Sequence, residues 1–254
     1  YSYSQLPVTI YVSYGSSVSF AWQSPISAGS GKEYVWQSTS GLSNAQSATI
    51  TITKSGDVIA NYTTYYRLIM SVSPSGTGST NPSAGEHWEP AGAQIQINAS
   101  PNTGYYFVGW SGTGSGSYSG TNNPATITMD APINETAEFG TPSITFAQTG
   151  LPSSAVGIIL NVSYGGNTYS YKVSQLPVTL KISAGTSISF SYASPVYSST
   201  PGVRYLWGST SDNFNVNLGQ SGSFTMPAIA NAYVNASYGN AQGGGGIQYR
   251  LIMS

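Results

Sequence analysis

Apolar and polar residues alternate in many short stretches of this chain, and Gly, Pro, Asn and Ser separate the stretches. Alternation with a period of two is typical of a β-strand that turns one face toward a core. No stretch combines a sustained 3.6-residue apolar period with helix caps. The alternation predicts strands over residues 8–14, 16–22, 48–53, 94–99, 125–129, 156–164, 178–183 and 186–192. Such a series of short strands predicts an all-β protein of the sandwich or barrel class.

The chain also repeats parts of its own sequence. Four pairs of segments match: SQLPVT at 4–9 and 174–179, EYVWQSTS with RYLWGSTS at 33–40 and 204–211, VIANYT with AYVNAS at 58–63 and 232–237, and YRLIMS at 66–71 and 249–254. The starts of the two copies, each reading Tyr-Ser-Tyr, align if the second copy carries a two-residue insertion. Long internal repeats of this kind predict a tandem array of similar modules.

The repeats predict three modules, which we call A1, B and A2. A1 (1–71) and A2 (142–254) are expected to be small, immunoglobulin-like β-sandwiches, and B (72–141) a small β domain between them. A2 opens with ITFAQTGLPSSAVGIILNVSYGGNT at 144–168, which has no counterpart in A1. We therefore expect A1 to lack its first strands, as in a window cut from a longer array of B and A modules. The alternative is an eroded duplication that ends naturally.

An incomplete sandwich has a physical consequence. A missing strand leaves unpaired backbone N–H and C=O groups along an apolar groove. We expect polypeptide to fill this groove, either from upstream in the same chain or from a neighbouring copy, as in donor-strand complementation. Either source makes copies of the protein itself the expected partners, in a head-to-tail polymer or a long tandem array.

Charge is scarce along the whole chain. Charged residues make up 6% of the sequence and the net charge is −1, whereas about 25% is usual for a soluble domain. A nucleic-acid partner is not expected, because no cationic surface would offset phosphate charge. The chain has no cysteine and therefore no disulfide or thiolate metal site. No apolar run is long enough to predict a membrane span in this segment.

Residues 66–140 carry a recognisable pattern. It includes AGAQIQINA at 91–99, PNTGYYFVGW at 101–110 and ITMD at 127–130. The segment resembles the divergent InlB B-repeat family of surface proteins, from which it departs by HWEP at 87–90 and by the long turn at 112–120. The resemblance implies a small, mainly β domain that serves as a spacer or stalk in secreted surface proteins, without catalysis.

A second resemblance concerns the A modules. ITFAQTGLP at 144–152 is similar to the F-x-x-T-G-L-P modules of archaeal cell-surface proteins and of some thermopsin-like secreted proteins. The two resemblances together imply an extracellular, cell-surface protein of an archaeon. We expect a structural subunit or repeat segment of a filament, stalk or S-layer, assembled by strand complementation. The alternatives are an adhesin that binds carbohydrate through its many aromatic residues, or the non-catalytic tail of a secreted protease.

Five Asn-x-Ser/Thr sequons are candidate glycosylation sites. They are Asn61, Asn98, Asn134, Asn161 and Asn235. N-glycans attach where such an asparagine faces solvent in a secreted protein, so N-linked glycans are expected partners. The alignment of VIANYT with AYVNAS places Asn61 and Asn235 at equivalent positions of A1 and A2.

No catalytic, cofactor or metal site is expected. His87 is the only histidine, and its neighbours Trp88 and Pro90 indicate a surface residue in a turn. A zinc site would usually need more His or Cys ligands. GTGSGSYSG at 112–120 resembles a phosphate-binding loop only superficially, because it leads to a predicted strand and not to a helix N-terminus. It is expected to be a flexible hairpin loop.

Overall fold

A computed structural model describes residues 1–240, and the second YRLIMS lies outside the described residues. The fold is all-β, which confirms the predicted fold class. The chain forms two compact units. One consists of Tyr1–Ser71, Asn81–Asn98 and Trp110–Thr136, and the other of Val72–Thr80, Ala99–Gly109 and Ala137–Ser254. Residues 72–141 contribute to both units, and the division into three modules stays a prediction.

Residues 1–71 contain five strands after a short 3-10 turn, Tyr3–Gln5. The strands are β1 (Ser17–Ala21), β2 (Ile26–Ser27), β3 (Lys32–Gly41), β4 (Ser47–Thr51) and β5 (Val58–Ser73). Within the described part of the chain, β1 pairs only with β4, in a two-stranded antiparallel sheet that places Ser17 opposite Thr51. β2, β3 and β5 pair antiparallel in a larger sheet. β5 continues without a break from residue 58 to residue 73 and pairs with β3 and with two strands from later in the chain.

Six further strands follow. They are β6 (Gly78–Asn81), β7 (Gly85–Pro90), β8 (Gln94–Pro101), β9 (Tyr106–Thr113), β10 (Ala125–Thr128) and β11 (Ile133–Gly140). One sheet has the order β10-β8-β6, and the other has the order β2-β3-β5-β11-β9, with β7 also paired to β5. Every second side chain of β10 and β11 is buried, as the period of two predicts, including Ile127 and Ile133.

The remaining strands build a complete sandwich. They are β12 (Ser143–Thr149), β13 (Ala155–Val156), β14 (Leu160–Tyr164), β15 (Asn167–Tyr171), β16 (Val178–Lys181), β17 (Ser187–Tyr192), β18 (Val196–Ser198), β19 (Arg204–Asp212), β20 (Ser221–Thr225) and β21 (Asn231–Asn240). A second 3-10 turn, Val173–Gln175, precedes β16. One sheet has the order β13-β18-β19-β21-β12-β16 and the other has the order β15-β14-β17-β20.

The core of this sandwich depends on β12 and β14. β12 runs parallel to β21 on one side and antiparallel to β16 on the other. Ile144 and Phe146 of β12 and Leu160 and Val162 of β14 are fully buried in one hydrophobic cluster. Burying each such side chain contributes about 1.5–3 kcal/mol. The segment that the sequence comparison finds only in A2 therefore supplies a large part of the A2 core.

One predicted strand is absent although its repeat is present. Residues 178–183 were expected to be a strand and form β16, whereas residues 8–14, with the same SQLPVT start, form no strand. The reason lies in pairing, since β16 is held by hydrogen bonds to β12. The predicted strand 156–164 is also divided, into β13 and β14, by residues that include Gly157 with a φ of +93°.

Candidate functional site: an open groove in the first sandwich

The two 3-10 turns fix how the repeats correspond at their starts. The backbone N–H of Ser2 donates to Oε1 of Gln5 at 2.7 Å, and the backbone N–H of Lys172 donates to Oε1 of Gln175 at 2.8 Å. Ser2 therefore corresponds to Lys172, and Tyr1 to the residue before it. The expected two-residue insertion is wrong, because the copies align through this turn without a gap.

The long strand pairs correspond equally well. Trp36 Nε1 donates to Thr39 Oγ1 at 3.0 Å, and Trp207 Nε1 donates to Thr210 Oγ1 at the same distance. A bulge follows each tryptophan, in the β3–β5 ladder of A1 and the β19–β21 ladder of A2. The sequence similarity of EYVWQSTS and RYLWGSTS thus reflects one shared strand conformation.

The registers correct the alignment of the sequons. Asn61 lies opposite Ser38, and Ser237 lies opposite Ser209 at the same place after the second bulge. The structural counterpart of Asn61 is therefore Ser237. The expected equivalence of Asn61 and Asn235 is wrong by two residues, because the alignment was made on letters without the ladder register.

In A2, two strands have no structural counterpart among residues 1–71. β12 fills the place between β21 and β16, and β14 covers the free edge of β17. The A1 counterparts of these neighbours are β5, residues 8–11 and β1. Among residues 1–240, β1 has only β4 as a partner, and residues 8–11 are in no strand. A1 therefore presents open strand edges around an unfilled space, which we call the A1 groove.

Residues 8–12 form one edge of the A1 groove, which we call its lip. The apolar side chains of this segment are exposed. Val8, Ile10 and Val12 are 42%, 52% and 42% exposed. In the A2 repeat, the counterpart of Val12 is Ile182, which is only 4% exposed. Alternating apolar residues in water, without strand pairing, are what remains when a strand partner is missing.

The floor of the A1 groove is apolar as well. Phe20 and Ile50 point to the inner face of the β1–β4 pair but are only partly buried, whereas their counterparts Phe190 and Phe224 belong to the buried A2 core. The ring centroids of Phe20 and Trp22 lie 6.2 Å apart, and the two rings are tilted relative to each other. These A1 residues are therefore apolar like their counterparts in the A2 core, but they are more exposed to solvent.

A polar contact in A2 identifies what the groove lacks. Tyr192, on β17, donates its hydroxyl to the backbone oxygens of Ala147 on β12 (2.8 Å) and Val234 on β21 (3.1 Å). Burial raises the pKa of Tyr192 well above the usual tyrosine range. The A1 counterpart is Trp22, whose Nε1 is buried and has no hydrogen-bond partner among the described residues. A buried donor without an acceptor is costly, by about 1–3 kcal/mol.

The correspondence of Trp22 and Tyr192 rests on their backbone contacts. Gln46 Nε2 donates to the oxygen of Trp22 at 2.9 Å, and Gln220 Nε2 donates to the oxygen of Tyr192 at 2.8 Å. The groove therefore combines open backbone edges and apolar walls, and Trp22 lies at the position whose A2 counterpart contacts β12. This combination is suited to binding an extended apolar polypeptide.

All five predicted glycosylation residues lie on strands. Asn61, Asn98, Asn134 and Asn161 are exposed, on β5, β8, β11 and β14. Asn235 on β21 is half-buried, and its Oδ1 is buried without a hydrogen-bond partner among the described residues. Their occupancy by glycans stays a prediction, and their position on five different stretches of chain does not bring them together in one site.

His87 lies on β7 and not in a turn. It is opposite Leu68 of β5, and its Nε2 donates to the backbone oxygen of Ser83 at 2.7 Å. The inserted HWEP stretch thus extends a sheet, because Gly85–Pro90 pairs antiparallel with residues 65–70 of β5. No group of three or more metal-ligating His, Asp or Glu side chains occurs within residues 1–240.

Glu135 is a buried carboxyl group whose burial the sequence did not predict. It is fully buried on β11, and Oε1 accepts the backbone N–H of Tyr118 at 2.7 Å. Burial raises the pKa of Glu135, against the smaller opposing effect of the Tyr118 hydrogen bond. The contact anchors the Gly-rich turn 112–120, which also bridges to β9 through Gly120 and Trp110. Only the alternation within β11 could have indicated that Glu135 faces inward.

The comparisons with known proteins agree with one sequence resemblance. Residues 68–142 match the family model described as a divergent InlB B-repeat domain, which confirms that prediction. No curated protein matches the chain. A solved structure, the major pilin protein (T3.2) from Streptococcus pyogenes serotype GAS13637, aligns at 9% identity over 89% of this chain and 98% of the pilin chain. Its TM-score of 0.20 is too low to support any argument about fold or function.

Within the part of the chain that the structure describes, no helix has the length and apolar character needed to cross a membrane.

Proposed function

We propose that this chain is a structural repeat segment of an extracellular archaeal surface filament, stalk or S-layer, in which strand complementation completes the A modules. The observation that carries the proposal is the A1 groove, with Ile10 exposed and Trp22 Nε1 unsatisfied where A2 has β12. An open sandwich of this kind is a ready acceptor for a strand. The protein acts as a building element and not as an enzyme.

Three further features support this role. The match of residues 68–142 to a B-repeat model fits a spacer between A modules. The similarity of ITFAQTGLP to archaeal surface modules favours an archaeal cell envelope. The chain has only 8 Asp and Glu residues, so acid has few carboxylates to protonate, which suits an exposed structure. N-linked glycans on the exposed sequons fit the same location.

The proposal is tested with a protein that contains two consecutive copies of residues 72–254. We expect negative-stain electron microscopy to show rigid threads and analytical ultracentrifugation to show species larger than one chain or an elongated single chain. In the matched control, the first of the two copies carries Leu180→Asp. Leu180 is the counterpart of Ile10 in the internal A module. That change disrupts a complete module and is expected to shorten or bend the threads. Compact, globular particles from the unaltered protein would contradict a filament or stalk.

A further inference from the structure

We infer that the A1 groove binds one particular kind of segment: a strand, loop and hairpin of the type formed by residues 143–171, belonging to the same polypeptide and leading into Ser2. This inference deepens the proposed function and rests on it for the idea of strand complementation. It adds the identity, direction and register of the occupant, which the A2 module supplies as a template.

The direction follows from β12. In A2, β12 is parallel to β21, with Phe146 opposite Val234 and Thr149 opposite Ser237. The counterparts of Val234 and Ser237 are Val58 and Asn61, because both pairs hold the same places after the bulges in their ladders. The occupying strand therefore runs parallel to β5, with its Phe146 equivalent opposite Val58.

The second edge gives the same register independently. β16 places Leu180 opposite Ile144 and Val178 opposite Phe146. Through the matched 3-10 turns, these two β16 residues correspond to Ile10 and Val8. Docking would convert residues 8–11 from an exposed segment into a strand and cover the apolar lip of the groove.

The occupant also reaches Trp22. In A2 the backbone oxygen of Ala147 accepts from Tyr192 at 2.8 Å. Trp22 holds the position of Tyr192 in A1, so the equivalent oxygen of the docked strand lies near this side chain, whose buried Nε1 has no partner among the described residues. The hairpin that follows, equivalent to β14 and β15, supplies the missing partner for the free edge of β1, as β14 does for β17.

Covalent continuity determines the source of the segment. Residues 143–171 of A2 lead directly into Lys172, which corresponds to Ser2. A segment that ends at this point reaches Ser2 without any linker. A second copy could donate its own residues 143–171 only by opening its A2 core, where Ile144 and Phe146 are fully buried. The intramolecular source is therefore favoured.

The first experiment adds a fluorescent peptide of residues 143–171 to the full chain 1–254. We expect saturable binding by fluorescence anisotropy, with slower amide exchange over residues 8–12 measured by mass spectrometry. A peptide with Phe146→Asp is expected to bind at least about 100-fold more weakly, because a charge would enter an apolar site. The Ile10→Asp chain is expected to lose affinity to a similar degree. Equal binding of both peptides, or no protection of residues 8–12, would overturn the inference.

The second experiment joins a copy of residues 143–171 directly to Ser2. We expect this fused chain to be monomeric, to protect residues 8–12 without added peptide, and to bind the labelled peptide at least about 100-fold more weakly than the original chain. Self-association of the fused chain through its A1 module, with residues 8–12 still unprotected, would overturn the intramolecular source.

The outcomes separate this inference from the proposed function. If two-repeat proteins form threads but the peptide does not bind, the structural role stands and the identity of the occupant is wrong. If the peptide binds in the stated register but two-repeat proteins remain compact and globular, the occupant is right and the filament role is wrong. Variants of the peptide cannot affect the folding of the chain, so the first experiment stays decisive even if Ile10→Asp lowers stability.

Discussion

Trp22 and Tyr192 hold corresponding positions in the two sandwiches, but only Tyr192 finds acceptors for its polar hydrogen. The acceptors are backbone oxygens of β12 and β21, at 2.8 and 3.1 Å. Trp22 Nε1 is buried without a partner among the described residues. The strand that supplies one of these acceptors in A2, β12, has no counterpart within residues 1–71.

This relationship predicts opposite effects for two substitutions to phenylalanine. Tyr192→Phe leaves the oxygens of Ala147 and Val234 without this donor, so the free energy of unfolding of the A2 sandwich should fall by about 1–3 kcal/mol. Trp22→Phe removes an unsatisfied donor and should leave the stability of the chain unchanged or slightly raised. Urea denaturation, with amide exchange to assign each transition, measures both. Tyr197→Phe, at an exposed site, is the control for loss of a hydroxyl, and its stability should match the parent chain.

A second matched pair tests the difference in burial between the repeats. Ile182→Ala removes a side chain that is 4% exposed and should lower the free energy of unfolding by about 2–5 kcal/mol. Val12→Ala, at the corresponding position in A1, removes a side chain that is 42% exposed and should change stability by no more than about 0.5 kcal/mol. Thermal unfolding of both variants checks this. Equal losses would mean that residues 8–12 are already packed in solution.

The fold class was predictable from the sequence because strand periodicity is a local property. β1, β10, β16 and β17 lie within predicted alternating stretches, and β4 and β8 overlap such stretches. The InlB-like segment was predictable because its spacing of Gly, Pro and aromatic residues is distinctive. β7 was missed, since a short stretch around the only histidine gave too few alternating residues to distinguish a strand from a turn.

The site was predictable only in part. The absence of a counterpart to 144–168 in A1 indicated an incomplete sandwich, and this is visible by comparing the repeats. The conformation of residues 8–14 could not be predicted in the same way. Their sequence predicts a strand, but a strand needs a pairing partner, and pairing is not a local property. The burial of Glu135 and of the Trp22 indole nitrogen likewise depends on neighbours distant in sequence.

The buried carboxyl group of Glu135 predicts a dependence of stability on pH. Its pKa is raised above the ordinary 4.5 in the folded chain. The folded state therefore holds this proton more tightly than the unfolded state. The stabilisation is complete below pH 4.5 and is lost as the pH rises through the raised pKa, above which it stays constant. Glu135→Gln cannot ionise and should be more stable than the parent at pH 7, with a flatter profile.

Urea denaturation between pH 3 and pH 8 measures this profile. Glu138→Gln is the matched control, because Glu138 lies on the same strand but is exposed. The control should retain the dependence of the parent chain on pH. A profile that Glu135→Gln leaves unchanged between pH 3 and pH 8 would contradict a raised pKa for Glu135.

The burial of the sequon asparagines predicts an order of glycan occupancy. Asn61, Asn98, Asn134 and Asn161 are exposed and should carry N-glycans in protein from its natural source, whereas Asn235 is half-buried and should remain largely unmodified. The reason is steric, because a glycan attaches through the side-chain amide and needs that amide in solvent.

Mass spectrometry of glycopeptides measures occupancy at each position. Asn81 is an internal negative control, since the proline after it excludes modification. Substituting each exposed asparagine by glutamine should remove one glycan mass at a time and leave the fold intact. High occupancy at Asn235 would contradict the structural order and would mean that the sugar is added before β21 pairs with β12 and β19, while the chain is still unfolded.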